Sequence, residues 1–148
     1  MAIRKIHCNG PMREDEAVAT AVAISPGMLV ERTSAGLVQA HSTEGGDAMI
    51  IVALEDNFQG KTVDDAYAVS SLIFLGIPRK GTKMNMLLKA GENVAIGDNL
   101  ISAGDGTLIA EGSVSSGVTV EQVIAKAAEA KDLSASGAAN ALMAVEIV

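Results

Sequence analysis

A chain of 148 residues carries one ordinary domain, long enough to remove roughly two-thirds of its unfolded-state surface from water. Its net charge of −7 repels nucleic-acid phosphates. Its longest apolar run, Ala48 to Leu54, falls far short of the ~18 residues a membrane-spanning helix needs. Neither nucleic acid nor a membrane is therefore an expected partner. The single cysteine, Cys8, excludes an intramolecular disulfide, and the acidic Glu14-Asp15-Glu16 near the start is unlike a secretory signal, which suits assembly in a reducing cytoplasm. Apolar residues make up 49% of the chain, yet Phe58, Phe74 and Tyr67 are the only aromatics. A core of small aliphatic side chains gains little burial per residue, so packing against further copies of the chain is expected to add stability.

Residues 1–17 show neither alternation nor a helical period, contain Asn9-Gly10-Pro11, and carry charge in blocks; they read as an extended N-terminal arm ahead of a single β-rich domain, 18–148. Val18 to Ile24 alternates as a strand and stops at Ser25-Pro26-Gly27. Met28–Arg32 and Leu37–Ala40 form a hairpin around Thr33-Ser34-Ala35-Gly36, and Ala48–Glu55 is the most apolar strand. Thr62 to Tyr67 reads as a helical turn with Thr62 as its cap. Val69–Ile77 is a strand that Pro78 breaks. Short strands follow at Met84–Leu88, Asn93–Ile96, Asn99–Ser102 and Thr107–Ala110, separated by glycine turns, and Ala141–Val148 closes the domain after a Ser, Ala and Gly loop. This spacing predicts a mainly β fold: a small barrel or β-tulip with at most short helices.

Val118 to Leu133 is ambiguous, because Val120, Val123, Ile124, Ala127 and Ala128 fall at helical spacing. A comparison within the chain points the other way. Gly27, Val30, Gly36, Val38 and Ala40 match Gly97, Leu100, Gly106, Leu108 and Ala110 at a constant offset of 70 residues, and Ala53 and Glu55 match Ala127 and Glu129 at an offset of 74. If the halves are a degenerate duplication, Gln122–Ala130 is a strand. A chance match of small residues is the alternative.

The inventory for chemistry is thin. His7 and Cys8 point to opposite sides of an extended chain, His41 lies in a polar loop, and no paired Cys or His spacing suits a metal. Gly104-Asp105-Gly106-Thr107 lacks the alternating acids of a calcium loop and the lysine of a phosphate loop, and reads as a hairpin turn. Asp64 and Asp65, adjacent on a helix start, do not face each other as a catalytic pair would. Lys83 in Lys83-Met84-Asn85-Met86 comes nearest to the modified lysine of a swinging-arm carrier domain, but it precedes the glycine turns instead of sitting at a tip. No enzyme activity, cofactor or metal is expected. A carrier barrel and a phage tail or baseplate barrel are the alternatives.

Asn9-Gly10 to Glu16, Pro26-Gly27-Met28-Leu29, Thr33 to Gly36, His41-Ser42-Thr43 with Gly45-Gly46, Ala53 to Asp56, Gln59-Gly60-Lys61, Asp64 to Tyr67, Leu87-Leu88, Val94 to Asp98 and Gly104 to Leu108 follow one another in an order and spacing. In that order the chain resembles the head decoration, or cement, proteins of tailed bacteriophages. The resemblance implies a structural protein that binds the outer face of an assembled capsid, commonly as a homotrimer. Its partners would be the major capsid protein and itself, and its location the virion. The chain departs from the pattern at Val118–Ala139, which is rich in Ala and Lys. In this setting the arm is expected to order on the capsid, with Arg4, Lys5 and Arg13 meeting acidic groups and Ile3 and Ile6 filling apolar recesses. Deleting residues 2–13 is then expected to leave a folded barrel.

Overall fold

The computed structural model describes residues 5–115, 117–118 and 121–148. Thirteen strands and one short 3-10 turn, Asn57–Gln59, make up the regular structure among these residues. The strands are β1 (His7–Asn9), β2 (Met12–Val18), β3 (Leu29–Arg32), β4 (Val38–Ala40), β5 (Ile51–Ala53), β6 (Leu72–Pro78) and β7 (Lys83–Leu88). Then come β8 (Asn93–Val94), β9 (Asn99–Ser102), β10 (Leu108–Ala110), β11 (Ala125–Ala127), β12 (Lys131–Asp132) and β13 (Ala141–Ile147).

They build the same five-stranded unit twice. In the first, strands run in the order β2-β6-β5-β3-β4, and a parallel bridge from Ala19 to Val38 joins the ends. In the second, β7-β13-β11-β9-β10 repeats that order, and a parallel bridge from Leu88 to Leu108 closes it. The match extends to register. Val30 pairs with Ile51 and with Ala40, as Leu100 pairs with Ala125 and with Ala110. Irregular segments repeat too: Gly27 N–H donates to Ala53 O, and Gly97 N–H to Ala127 O, both at 2.8 Å. The offsets of 70 and 74 residues seen in the sequence are those of a duplicated barrel. Of the strand expected at Gln122–Ala130, the middle forms: Ala125–Ala127 is β11, the second copy of Ile51–Ala53, with irregular backbone on either side.

Small side chains are what such barrels need. Five strands enclose a narrow interior, narrower than the eight-stranded case that side chains just fill. The first barrel packs Ala19, Val30, Val38, Ile51, Ala53, Ile73 and Leu75 inside, with Tyr67 and Ile24 plugging an end. The second packs Met84, Met86, Leu88, Leu100, Leu108, Ala125, Ala127, Met143 and Val145. The poverty in aromatics follows from this geometry. Outward-facing Leu29, Val52 and Leu54 of the first barrel join the second barrel's core, so both barrels contribute to that cluster, while the first barrel's interior is a cluster of its own.

Tyr67 shows how an end is sealed. It is 4% exposed, its hydroxyl donates to Leu54 O at 2.6 Å, and burial pushes its pKa up to about 12. The phenol stays neutral in the fold where an unfolded chain would ionise it near pH ~10. Stability from this group is therefore complete below pH ~10 and is lost as pH rises towards 12. As the chain has one tyrosine and no tryptophan, absorbance near 295 nm reports it alone. The titration should be delayed to about pH 12 in the folded protein and return to ~10 in denaturant.

Elsewhere the expected strands hold with shifted ends, and two differences are physical. The strand placed at Val18–Ile24 ends at Val18 and lies earlier, so the boundary drawn at residue 17 falls inside β2. Thr62 to Tyr67 is a turn without helix: Asp65 accepts from Thr62 N–H at 2.7 Å and Thr62 O accepts from Asp65 N–H, a closed polar loop that leaves no helical ladder to continue.

Candidate functional site

The N-terminal segment, expected to be a free arm, is stitched into the body from Lys5 onward. Asn85 Nδ2 donates to Lys5 O at 2.7 Å, and Asn85 N–H to Ile6 O at 2.7 Å. Ile6 N–H donates to Glu55 Oε2 at 3.1 Å. His7 and Asn9 pair with β7, Thr82 Oγ1 donates to Pro11 O at 2.6 Å, and Met12 to Val18 pair with β6 along their whole length. Ile6 is fully buried in the shared core, so it cannot fill a recess on a capsid without unfolding its own protein. Ile3 and Arg4 lie outside the described residues. Lys5 and Arg13 are exposed, as expected of contact residues.

This stitching unites two basic stretches that the sequence keeps apart. Arg13 pairs with Ile77 and Met12 with Pro78, while Arg79 N–H donates to Pro11 O at 3.1 Å. Arg13 therefore sits at the same end as exposed Arg79 and Lys80, and Lys83 follows in register with Asn9. Next to this end a cleft of about 210 Å³ is lined by Lys5, His7, Glu14, Glu55, Phe58 and Phe74 among others, below the ~300 Å³ at which small-molecule sites begin. Phe58 is 86% exposed and leans on Phe74, ring centroids 5.1 Å apart. An exposed aromatic over a cleft that carries Glu14, Asp15 and Glu55 as well as Lys5, close to the basic end, is a surface suited to a protein partner.

Cys8 lies beside this end. Burial, with Glu55 and Glu129 adding to it, pushes its thiol pKa up, although Asn85 Nδ2 donates to the sulfur at 3.1 Å. That makes it a poor nucleophile at neutral pH.

One constellation escaped the reading of the sequence. His41, assigned there to a polar loop, is 1% exposed; its Nδ1 lies 2.6 Å from Ser102 Oγ and its Nε2 3.8 Å from Glu31 Oε2. A serine, a histidine and a carboxylate in that order resemble a hydrolytic triad. The burial of Ser102 argues otherwise: it is 0% exposed, and its oxygen already accepts from Gly104 N–H at 3.1 Å, so no acyl group reaches it. Ser42 and Gln39 hold the Glu31 carboxyl below the usual range against the opposing effect of burial, donating to Oε1 at 2.6 and 2.8 Å. The cluster ties the β4–β5 loop to the second barrel. Its signal in the sequence, one histidine and one serine 61 positions apart, has no local pattern to betray it.

The remaining suspects are structural. Asp105 bonds Thr107 within the β9–β10 turn and pairs with Lys89 at 3.1 Å, as a hairpin turn does. Lys83 starts β7 in register with Glu146, away from any hairpin tip, which removes the carrier lysine. Among the described residues no group of three or more His, Cys, Asp or Glu is placed to hold a metal ion. No helix among them is long and apolar enough to cross a membrane.

No family model matches the chain, and no curated protein is detectably similar to it in sequence. A solved structure is similar in fold. The base of the head fiber protein gp8.5 of bacteriophage phi29, an N-terminal piece, superposes with a TM-score of 0.55 at 14% identity, covering 93% of this chain and 95% of that one. At that coverage the likeness spans both barrels of this chain.

Proposed function

We propose that this chain is a structural protein of a phage head, a decoration protein that binds the outer face of the assembled capsid as a homotrimer and braces it against internal pressure. The observation that carries the reading is the end-to-end likeness to the head fiber base of phi29, over 93% of this chain. It coincides with the resemblance of the ordered motifs from Asn9 to Leu108 to head decoration proteins. The serine–histidine pair is sealed in, and the exposed surface includes a basic end, Phe58 and apolar side chains such as Leu72 and Ile96. A shell protein offers the same contact many times over, so modest affinity per site is enough.

The basic end is the part of the chain expected to meet the major capsid protein, with Lys5, Arg13, Arg79 and Lys80 facing acidic groups. Replacing Arg13, Arg79 and Lys80 by Gln removes three exposed charges, each worth about 0.5 kcal/mol, so affinity for purified expanded heads should fall roughly tenfold. Wild-type binding should weaken as salt is raised from 0.1 to 1 M. Co-sedimentation with heads reads both. Undiminished binding by the triple variant would place attachment elsewhere on the surface.

A further inference from the structure

The duplication leaves one interface satisfied inside the chain and both of its halves repeated, open, on the outside. Within the chain, the turn Ser25-Pro26-Gly27-Met28 of the first barrel rests on Leu87 and Leu142 of the second, and the Leu88–Leu108 bridge sets Thr107 next to them in the sheet as the third of a triad. Leu87 N–H donates to Gly27 O at 3.0 Å, and Leu29 N–H to Gly106 O at 2.8 Å. A Cβ on Gly27 would overlap Leu142 Cδ2, and one on Gly106 would lie 3.1 Å from Ala40 Cβ. Pro26, Gly27, Gly106 and Thr107 are all buried by this contact.

Each half has a twin. The turn recurs as Ala95-Ile96-Gly97-Asp98, with the same internal hydrogen bond (Asp98 N–H to Ala95 O, Met28 N–H to Ser25 O, both 3.2 Å) and the same left-handed glycine, φ +91° against +88°. Here, though, Ile96 is 71% exposed and nothing lies within 4 Å of a Cβ on Gly97. The triad recurs on the first barrel as Val18, Leu37 and Leu72. Val18 pairs with Leu72, and the Ala19–Val38 bridge sets Leu37 beside Val18, as the Leu88–Leu108 bridge sets Thr107 beside Leu87. These three are 42%, 37% and 47% exposed, and Gly36, twin of Gly106, is equally uncovered. Large apolar side chains on display at the repeat of a buried contact mark an interaction face.

We propose that copies of this chain join head to tail by repeating their own inter-barrel contact, the Ile96-Gly97 turn of one copy seating on the Val18, Leu37 and Leu72 face of the next. Two backbone bonds carry over with it: Val18 N–H to Gly97 O and Asn99 N–H to Gly36 O. Lys126, standing where the first barrel has Val52, lines the clefts beside Gly97 together with Lys83, Asp98, Glu111 and Glu146, so the fit rests on shape and apolar contact and not on charge. Such a contact is heterologous, so it closes into a ring when the rotation per copy permits. The inference rests on the reading that the chain assembles with itself and names the surfaces that do it; in a trimer, six barrels follow one another around the axis.

The test uses the full chain in a Cys8→Ser background, with Ile96→Cys and Leu72→Cys made singly, together in one chain, and co-expressed as separate chains, each treated with a short bismaleimide. Co-expressed single variants should cross-link to one another, each variant alone should not, and the double variant should give a ladder ending at the number of copies in the ring. A band from Ile96→Cys alone or Leu72→Cys alone would show a two-fold contact and overturn the proposal. So would an oligomer by light scattering with no band in any mixture, which leaves self-assembly standing and removes only these surfaces. A monomer at high concentration would remove both readings.

Discussion

Replacing Ile6 by alanine should cost the fold about 2–5 kcal/mol, the range for truncating a fully buried aliphatic side chain to Ala. Ile6 is 0% exposed in the core that both barrels share, and its flanking backbone is held by Glu55 and Asn85. Urea unfolding should show a lower midpoint with an unchanged slope. Removal of residues 2–13 goes further, since it takes away Ile6, β1 and the start of β2, and should leave the second barrel's core open to water. The truncated chain is expected to unfold, in contrast to the folded barrel that the sequence suggested.

Gly27→Ala should be the next most damaging single change, and in the unassembled single chain, where no neighbouring copy covers the Gly97 turn, Gly97→Ala is its built-in control. Both glycines hold a left-handed backbone, φ +88° and +91°, which costs a residue with a Cβ about 1–2 kcal/mol. Only at Gly27 does the added methyl meet another side chain, Leu142 packed against the turn, and overpacking adds about 1–3 kcal/mol. The expectation is about 3 kcal/mol for Gly27→Ala and about 1 kcal/mol for Gly97→Ala, read from guanidinium unfolding. Equal losses at the two positions would mean that the inter-barrel contact contributes little to holding the barrels together.

Much of the barrel was legible because its turns are written in glycine and its strands in Val, Ile and Leu: β9 begins and ends where expected, and β3, β4 and β10 lie within a residue of it. The internal match was the most informative signal. Five matches at an offset of 70 pointed to a repeat, and Ala53 and Glu55 at an offset of 74 carried it onto Ala127 and Glu129, where barrel pairing outweighs a weak helix preference. The N-terminal strands were not legible. β2 runs Met-Arg-Glu-Asp-Glu-Ala-Val along a sheet edge, with acids on its solvated side, so no apolar alternation announces it. The burial of Ile6 depends on Glu55 and Asn85, 49 and 79 positions away, and no local pattern encodes that. For the same reason the basic end became visible only when the pairing of β2 with β6 set Arg13 near Arg79 and Lys80.

A reconstruction by cryo-electron microscopy of expanded heads incubated with the purified chain tests the central claim most directly. The account predicts added density on the outer capsid surface, three double barrels around each local three-fold, with the end that carries Arg13, Arg79 and Lys80 towards the shell. Heads that stay bare at saturating protein, while the same chain is found in the tail or baseplate of virions, would contradict it.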